Sequence, residues 1–123
     1  MKKPLKVLVI DDEKVICDAC HLILTENGHE VERCLTGRQG LEVLRKESYD
    51  VVLLDMKLPD IDGMEILKAF QTEKFNTCII VMTGYSTISN AVEAMKLGAA
   101  DYLTKPFTDE ELLGAINNAC RGL

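Results

Sequence analysis

The sequence lacks a surplus of positive charge. Its 123 residues carry 14 lysines and arginines against 20 aspartates and glutamates, which gives a net charge of −6 at pH 7. Proteins that bind nucleic acid directly neutralise phosphates with a basic surface, and this composition supplies no such excess. A divalent cation or a basic protein is therefore expected as the direct partner, and a nucleic acid is not.

Long hydrophobic runs are also missing. No stretch approaches the roughly 20 apolar residues that a membrane-spanning helix needs. The apolar run after the basic start stops at Asp11, which is too short for a signal peptide. We therefore expect a cytoplasmic protein without a membrane partner. Because no internal repeat, low-complexity segment or linker divides the chain, residues 1–123 are predicted to form a single domain.

A disulfide framework is not indicated either. The sequence has five cysteines, an odd number with scattered spacing. Cys17 and Cys20 have the spacing of a redox or zinc pair, but both fall in a predicted helix without a second pair. We interpret all five as reduced thiols in the core or at the surface, with redox or metal use as the second alternative. They are Cys17, Cys20, Cys34, Cys78 and Cys120.

Short apolar runs alternate with stretches in which apolar residues recur at helical spacing. The runs predict strands at residues 6–10, 29–34, 50–55, 77–83 and 100–104. The other stretches predict helices after Glu13, from 36–37, from 64 to about 73, from 87 to 97, and after Thr108 with a capping box. The alternation predicts an α/β fold: a flavodoxin-like, doubly wound, five-stranded parallel sheet, order 2-1-3-4-5, with helices on both faces.

Polar and charged residues stand where the predicted strands end. Asp11 and Asp12 follow the first strand, Asp55 ends the third, Thr83 ends the fourth and Lys105 follows the fifth. Ligands bind beyond the carboxyl ends of the strands in such a sheet, where the first strand lies beside the third. Three crowded carboxylates repel one another unless a cation or a proton intervenes, and oxygen ligands alone suit Mg²⁺.

Helix capping is the plainer explanation of these acids. It could account for Asp12 or Asp62 singly, because Asp is a common N-cap. It does not explain why Asp55 ends an otherwise apolar strand, or why Thr83 and Lys105 end two others. A carboxylate, a metal site, a hydroxyl and an ammonium group together suit phosphoryl transfer onto Asp55 as nucleophile.

Four segments of the chain resemble the receiver domain of bacterial two-component response regulators. They occur in the right order, span nearly the whole chain and are specific as a set. The segments are VLVIDDE at 7–13, DVVLLDMKLPDIDG at 50–63, IVMTG at 80–84 and GAADYLTKPF at 98–107.

The resemblance implies a phosphoacceptor and a metal site. Asp55 would be the phosphoacceptor. Asp12 would bind Mg²⁺ directly, Asp11 would assist through water, and the backbone carbonyl of Lys57 would complete the protein ligands. Mn²⁺ is an expected substitute for Mg²⁺.

Further roles follow from the same resemblance. Thr83 would hydrogen-bond the phosphoryl group and Lys105 would pair with it. Pro106 would follow a cis bond that directs the lysine inward, and Gly63 would let the loop after the phosphoacceptor turn tightly. Tyr102 matches the aromatic residue that moves inward when Thr83 is drawn to the phosphoryl group. On spacing alone, however, it is a half-buried strand residue.

The implied function is a phosphorylation-dependent signalling switch. It is not an enzyme, although it carries its own self-phosphorylation and self-dephosphorylation chemistry. A sensor histidine kinase, a phosphotransfer protein or a small phosphodonor would supply the phosphoryl group. The face formed by the fourth helix, fifth strand and fifth helix would then change shape about a hinge at residues 84–88. It would regulate an output domain or a target protein in transcription or a phosphorelay, and could support a phosphorylation-dependent homodimer.

Other residues near the expected pocket have smaller roles. Met56 and Tyr85 are expected to flank it, and Glu13 is expected to be a solvated acid at the start of the first helix. The wording around Asp55 and Thr83 is similar to receivers of nitrogen-regulation-type transcriptional activators and to single-domain phosphorelay proteins. Both a free-standing regulator and the receiver of a longer regulator therefore remain open.

Rival families fit less well. A haloacid-dehalogenase-like phosphatase needs a second aspartate two residues after the nucleophile, where this chain has Lys57. A flavin carrier needs a hydroxyl- and glycine-rich loop after the first strand, where this chain has three acids. A dinucleotide dehydrogenase needs a G-x-G-x-x-G motif, which is missing. A purely structural α/β interaction module requires the acidic pocket to be inert.

Overall fold

Strands and helices alternate along the whole chain. The computed structural model describes residues 3–84 and 88–120. The elements are β1 (Lys6–Ile10), α1 (Lys14–Glu26), β2 (Glu30–Cys34), α2 (Gly37–Lys46), β3 (Val51–Asp55), α3 (Gly63–Glu73), β4 (Cys78–Thr83), α4 (Ile88–Lys96), β5 (Asp101–Thr104) and α5 (Asp109–Ala119). No helix in these described ranges is long and apolar enough to span a bilayer.

The strands form one parallel sheet in the order β2-β1-β3-β4-β5. This order and the helices between the strands confirm the predicted fold class. The register is level at the carboxyl ends, because Ile10 pairs with Leu54, Asp55 with Met82 and Thr83 with Thr104. Residues that follow these strands therefore emerge side by side at one edge of the sheet.

The core has two layers, one on each face of the sheet. Side chains of a strand point alternately to its two faces, so Leu8 and Ile10 enter one layer while Val7 and Val9 enter the other. The first layer packs against α2, α3 and α4, and the second packs against α1 and α5. Each fully buried aliphatic side chain contributes about 1.5–3 kcal/mol, so the two layers hold the strand ends in place.

Local sequence signals mark several helix boundaries. Thr108 and Glu111 form the predicted capping box at the start of α5. Gly28 and Gly98 adopt positive φ after α1 and α4, a region that glycine enters without a Cβ penalty. At the end of α3 the same left-handed conformation is taken by Lys74, with φ 56°.

The predicted strand starts were one residue early for four strands. His29, Asp50, Thr77 and Ala100 precede β2, β3, β4 and β5 instead of opening them. The reason is visible at Asp50, whose amide donates to the Lys6 carbonyl at 2.8 Å while its side chain turns back to the Lys6 amide. Asp50 and Ala100 donate their amides to neighbouring strands, whereas the His29 amide donates to Leu24 at the end of α1. An apolar pattern does not distinguish such bonds from the ladder itself.

Two helix boundaries also differ. Helix α3 begins at Gly63 instead of residue 64, because the Asp62 side chain accepts a hydrogen bond from the Met64 amide at 2.8 Å and caps the helix there. The expected start of the fourth helix at Thr87 lies outside the described residues, and α4 ends at Lys96.

All five cysteines are free thiols, as predicted. Cys17, Cys20 and Cys34 are buried. Burial raises the pKa of Cys17 and Cys34 to about 11 and that of Cys20 to about 12. A thiol is a nucleophile and a metal ligand only as its thiolate, so these side chains behave as core residues.

Candidate functional site

Three aspartates meet at the carboxyl edge of the sheet. Asp11 and Asp12 follow β1, and Asp55 is the last residue of β3. One carboxylate oxygen of each lies within 4.8 Å of the others. Asp11 and Asp55 are buried, whereas Asp12 is exposed. The predicted clustering of these three side chains is therefore present.

Asp11 is buried and is held by hydrogen bonds to its Oδ1 and its backbone, whereas its Oδ2 has only an ion-pair contact. It has no exposed surface, its Oδ1 accepts from the Glu13 amide at 2.8 Å, and its Oδ2 lies 2.7 Å from the ammonium nitrogen of Lys105. Its backbone amide donates to the Cys34 carbonyl at 3.0 Å, and its carbonyl accepts from the Cys17 thiol at 3.2 Å. A buried charge held in this way has little freedom to rearrange.

Asp55 is less completely compensated. It is 4% exposed, its Oδ1 accepts from the Lys57 amide at 3.2 Å, and its Oδ2 is 3.7 Å from the Lys105 nitrogen. Burial raises its pKa to about 6; the Lys57 amide opposes that rise and the negative charge of Asp11 adds to it. The neighbours of Asp55 therefore neutralise its negative charge only in part. A bound cation, or a covalent bond to the carboxylate oxygen, would reduce the unfavourable charge.

Lys105 supplies the positive charge of the site and lies near the carboxylates of Asp11, Glu13 and Asp55. Its side chain is 10% exposed, and its nitrogen lies 2.7 Å from Asp11, 3.1 Å from Glu13 and 3.7 Å from Asp55. Burial alone would lower its pKa, but the close contacts with the Asp11 and Glu13 carboxylates outweigh that effect and the pKa is raised. The Lys105–Pro106 bond is cis, as the resemblance implied.

Glu13 has a contact that the sequence did not indicate. It is the residue before α1, its side chain makes no capping hydrogen bond, and its Oε1 is 3.1 Å from the Lys105 nitrogen. Its side chain is 60% exposed, as expected of a solvated acid at the start of the first helix, and the contact with Lys105 is an additional feature. Spacing along the chain gave no sign of this pair, because the two residues are 92 positions apart.

These side chains line an open cleft of about 340 Å³. Its walls are Asp12, Glu13, Asp55, Lys57, Thr83, Gly84 and Lys105. The donor set fits a hard divalent cation, because every side-chain ligand is a carboxylate oxygen and no histidine or cysteine takes part. Asp11, Asp12, Asp55 and the Lys57 carbonyl are the groups that could hold it.

The predicted switch pair lines a neighbouring cavity of about 200 Å³. Thr83 is 2% exposed at the end of β4, and Tyr102 is half-buried on β5. Met56 and Asn90 complete one side of this cavity. Of the predicted hinge at 84–88, residues 85–87 lie outside the described part of the chain, and Tyr85 with them.

Gly63 lies in a tight loop, as the sequence suggested. The loop requires glycine because the Met56 backbone lies close by, and not because Gly63 needs an unusual backbone conformation. Its amide donates to the Met56 carbonyl at 3.2 Å, and a Cβ at this position would come within 2.6 Å of the Met56 Cα. The close approach closes the loop that follows Asp55. Any larger residue would collide with the Met56 backbone and force this loop to shift.

Asp60 is a supporting residue that the sequence analysis missed. Its carboxylate accepts from the backbone amides of Gly37 and Arg38, both at 2.9 Å, and so ties the loop after β3 to the start of α2. Burial alone would raise its pKa, but the two amides and the Arg38 guanidinium outweigh it and the pKa is lowered. Its partners lie 23 and 22 residues earlier, so no local motif could reveal them.

A family model described as "Response regulator receiver domain" matches residues 7–117. The chain belongs to this receiver family. It is 39% identical over 112 residues to the transcriptional regulatory protein DltR of Streptococcus agalactiae, covering 91% of this chain and 50% of that protein. It is 33% identical over 117 residues to the cell cycle response regulator CtrA of Brucella ovis, covering 95% and 50%.

Solved receiver structures have the same fold. A response regulator receiver domain protein from Clostridium thermocellum is 40% identical, with a TM-score of 0.86 over 94% of this chain and 93% of that one. The chain spans about half the length of the curated relatives named above. It matches almost the full length of this solved domain.

Proposed function

We propose that this receiver domain is a signalling switch that accepts a phosphoryl group on Asp55. The observation that carries the proposal is the state of that carboxylate. It is 4% exposed at the end of β3, lies among two other aspartates and within 3.7 Å of the Lys105 nitrogen, and its pKa is raised to about 6. A carboxylate with this environment is a candidate nucleophile.

The chemistry needs a donor with a good leaving group. A carboxylate oxygen of Asp55 attacks phosphorus, the bond from phosphorus to the donor breaks, and its electron pair leaves with acetate or with the imidazole of a phosphohistidine. Lys105 offers ammonium N–H donors to the phosphoryl oxygens, and Thr83 offers a hydroxyl at the adjacent strand end. Phosphoryl transfer depends mainly on positioning and charge stabilisation, and both groups already line the cleft.

A divalent cation belongs in this proposal. Asp11, Asp12, Asp55 and the Lys57 carbonyl would hold Mg²⁺, or Mn²⁺ in its place, and the bound ion would neutralise charge on the transferring phosphoryl group. The residues of the chain themselves orient the acceptor and keep it from bulk water. The domain is in this view a phosphoacceptor with self-phosphorylation and self-dephosphorylation chemistry and not an enzyme acting on other substrates.

The readout would run through α4, β5 and α5. A phosphoryl group adds up to about two negative charges and three acceptor oxygens. Thr83 and Tyr102 line one cavity beside Asp55, so a shift of Thr83 toward those oxygens would change the space open to the tyrosine. Val92 and Met95 on α4 are 46% and 47% exposed, which leaves apolar surface for a partner or a second copy.

The partners follow from the family. In the cytoplasm, where we expect this domain to act, a sensor histidine kinase or a phosphotransfer protein would supply the phosphoryl group. The curated relatives are about twice as long, and one is a transcriptional regulatory protein. We therefore favour an output domain that acts in transcription, with a separate target in a phosphorelay as the other form of the same function.

Intact mass tests the proposal. The protein is incubated with Mg²⁺ and acetyl phosphate, as wild type, Asp55→Asn and Asp50→Asn. The wild type and Asp50→Asn should gain one phosphoryl group that hydroxylamine removes, and Asp55→Asn should gain none. Absence of any gain in the wild type, or equal gain in Asp55→Asn, would refute it.

A further inference from the structure

Glu13 stands where the proposed phosphoryl group needs a partner. Its Oε1 lies 3.1 Å from the Lys105 nitrogen and lines the same cleft as Asp55 and Thr83. An ammonium group has three N–H donors. One of them is donated to Glu13 Oε1 at 3.1 Å. Asp11 Oδ2 lies 2.7 Å from the nitrogen as an ion-pair partner without hydrogen-bond geometry, and Asp55 at 3.7 Å is beyond hydrogen-bond range.

The two short contacts differ in how easily they can be broken. Asp11 has no exposed surface, so removal of its ammonium partner would leave a buried charge unpaired, which is strongly unfavourable. Glu13 has a side chain that is 60% exposed, so water can replace the ammonium group around it at little cost. A newly arrived anion that draws Lys105 toward it would therefore release Glu13 first.

From this asymmetry, we propose that Glu13 is a positioning residue that competes with the phosphoryl group for Lys105. The inference rests on the phosphoacceptor function proposed above and adds a residue to it. In the unphosphorylated protein, the Glu13 carboxylate occupies the ammonium group as a replaceable counterion. On phosphorylation, the phosphoryl oxygens take that place and the Glu13 side chain turns to water.

The competition has a predictable sign. Replacing the Glu13 carboxylate by a neutral amide removes a negative charge from the lining of the cleft and leaves only a neutral acceptor oxygen, which binds an ammonium group more weakly. Lys105 then binds an anion at lower cost, and an anionic donor meets less repulsion. Because exposed ion pairs are weak, the gain should be roughly two- to fivefold. It should also fall in high salt, because an exposed pair is screened at about 10 Å in 0.1 M salt and about 3 Å in 1 M.

The fold offers a matched control on the same helix. Glu26 is the last residue of α1 and is exposed. It lies 13 residues from Glu13, and at about 1.5 Å per residue the two are roughly 20 Å apart. Glu26→Gln makes the same chemical change and the same change in net charge, but beyond the screening distance of the cleft.

Beryllofluoride serves as the phosphoryl mimic. Its dissociation constant is measured by ¹⁹F NMR at fixed Mg²⁺ and at low and high NaCl, for wild type, Glu13→Gln and Glu26→Gln. The Mg²⁺ dissociation constant is measured separately without beryllofluoride. We expect Glu13→Gln to bind beryllofluoride two- to fivefold more tightly at low salt, to lose most of that gain at high salt, and to bind Mg²⁺ like the wild type. Glu26→Gln should match the wild type throughout.

Each other outcome decides the matter. Unchanged or weaker beryllofluoride binding by Glu13→Gln, beside normal binding by the wild type, overturns the role of Glu13 and leaves the phosphoacceptor function standing. A gain shared by Glu26→Gln shows a general charge effect and overturns it as well. A matching change in Mg²⁺ affinity assigns Glu13 to the metal instead of Lys105. Failure of the wild type to bind beryllofluoride or accept a phosphoryl group overturns the proposed function itself.

Discussion

Two aspartates bracket the central strand β3, one at each end of the sheet. At the amino end, Asp50 accepts a hydrogen bond from the Lys6 amide at 2.8 Å and donates its own amide to the Lys6 carbonyl at 2.8 Å. At the carboxyl end, Asp55 has one amide donor at 3.2 Å and lies among two other carboxylates. Asp50 joins β1 and β3 through two hydrogen bonds. The charge of Asp55 is only partly neutralised by its neighbours, so a bound cation or a phosphoryl group would stabilise it.

The lysines at the two ends show the same contrast. Lys6 pairs with Glu47 at 2.7 Å, with side chains 34% and 53% exposed, and lies over the Tyr49 ring. Lys105 is 10% exposed and serves three acids. At the amino end, Asp50 and Lys6 are each paired and tie elements together. At the carboxyl end, several carboxylates depend on the single ammonium group of Lys105, so their negative charge is not fully neutralised. This excess negative charge is what makes the edge reactive.

The largest expected effect comes from removing the lysine at the carboxyl end. Lys105→Met would leave the buried Asp11 charge without its ammonium partner, so the free energy of unfolding at pH 7.5 without Mg²⁺ should fall by about 3 kcal/mol. Lys6→Met is the matched change at the amino end and should cost only a small fraction of that. Urea unfolding followed by circular dichroism measures both. Equal losses would erase the contrast between the two ends.

Asp55→Asn should stabilise the protein without Mg²⁺. Because the folded-state pKa is raised from 3.8 to about 6, ionisation of Asp55 opposes folding at neutral pH, and the variant should be more stable by up to about 3 kcal/mol at pH 7.5. As the pH falls through about 6 the wild-type carboxyl takes up its proton, so the difference should close by about pH 4. Urea unfolding in EDTA across this pH range is the measurement.

Mg²⁺ gives that prediction an internal control. A cation that binds the three carboxylates stabilises the wild type more than the Asn variant. The difference in free energy of unfolding between the two proteins should therefore shrink or reverse as Mg²⁺ is added. A difference that is the same at pH 4 and pH 7.5 would show that the charge of Asp55 is not its cause.

Asp50→Ala should destabilise the protein, in contrast to Asp55→Asn. Loss of its carboxylate leaves the half-buried Lys6 amide without an acceptor, which costs about 1–2 kcal/mol in urea unfolding. Asp50→Asn keeps an acceptor oxygen and should lose less than half of that. Phosphoryl uptake should be unchanged in both, and a marked fall in uptake would place Asp50 in the functional machinery.

The smallest effect tests whether position at the carboxyl end is enough to make a residue functional. Thr108 lies just beyond Pro106, but its hydroxyl only caps α5 by accepting from the Glu111 amide at 3.1 Å. Thr108→Ala should cost about 1 kcal/mol in thermal unfolding and leave phosphoryl uptake as in the wild type. A loss of uptake without a loss of stability would contradict that division.

The sequence allowed the fold and the acidic cluster to be predicted because both follow from short-range patterns. Apolar runs such as residues 51–54 mark strands that are buried on both faces, and the alternation with helices fixes parallel pairing. Once the strand order is known, residues such as Asp11, Asp55 and Thr83 must meet, because parallel strands end at the same edge. The roles assigned to Tyr102 and Pro106 came from family resemblance instead.

The features that the sequence did not reveal depend on contacts between distant segments. The Glu13–Lys105 pair joins the loops after β1 and β5, which are not neighbouring strands. Asp60 caps α2 from a loop more than twenty residues later. Gly63 is required by the nearness of the Met56 backbone, which no turn motif encodes. Each follows from three-dimensional packing after the strands are placed, and not from spacing along the chain.

The central claim, that Asp55 and not another acid at this edge accepts the phosphoryl group, has a direct test. The protein is phosphorylated with acetyl phosphate and Mg²⁺, reduced with sodium borohydride, which converts an aspartyl phosphate to homoserine, and mapped by peptide mass spectrometry. Homoserine at position 55 alone is the predicted result. Homoserine at position 11 or 12, or no conversion in protein that binds Mg²⁺, would contradict the claim.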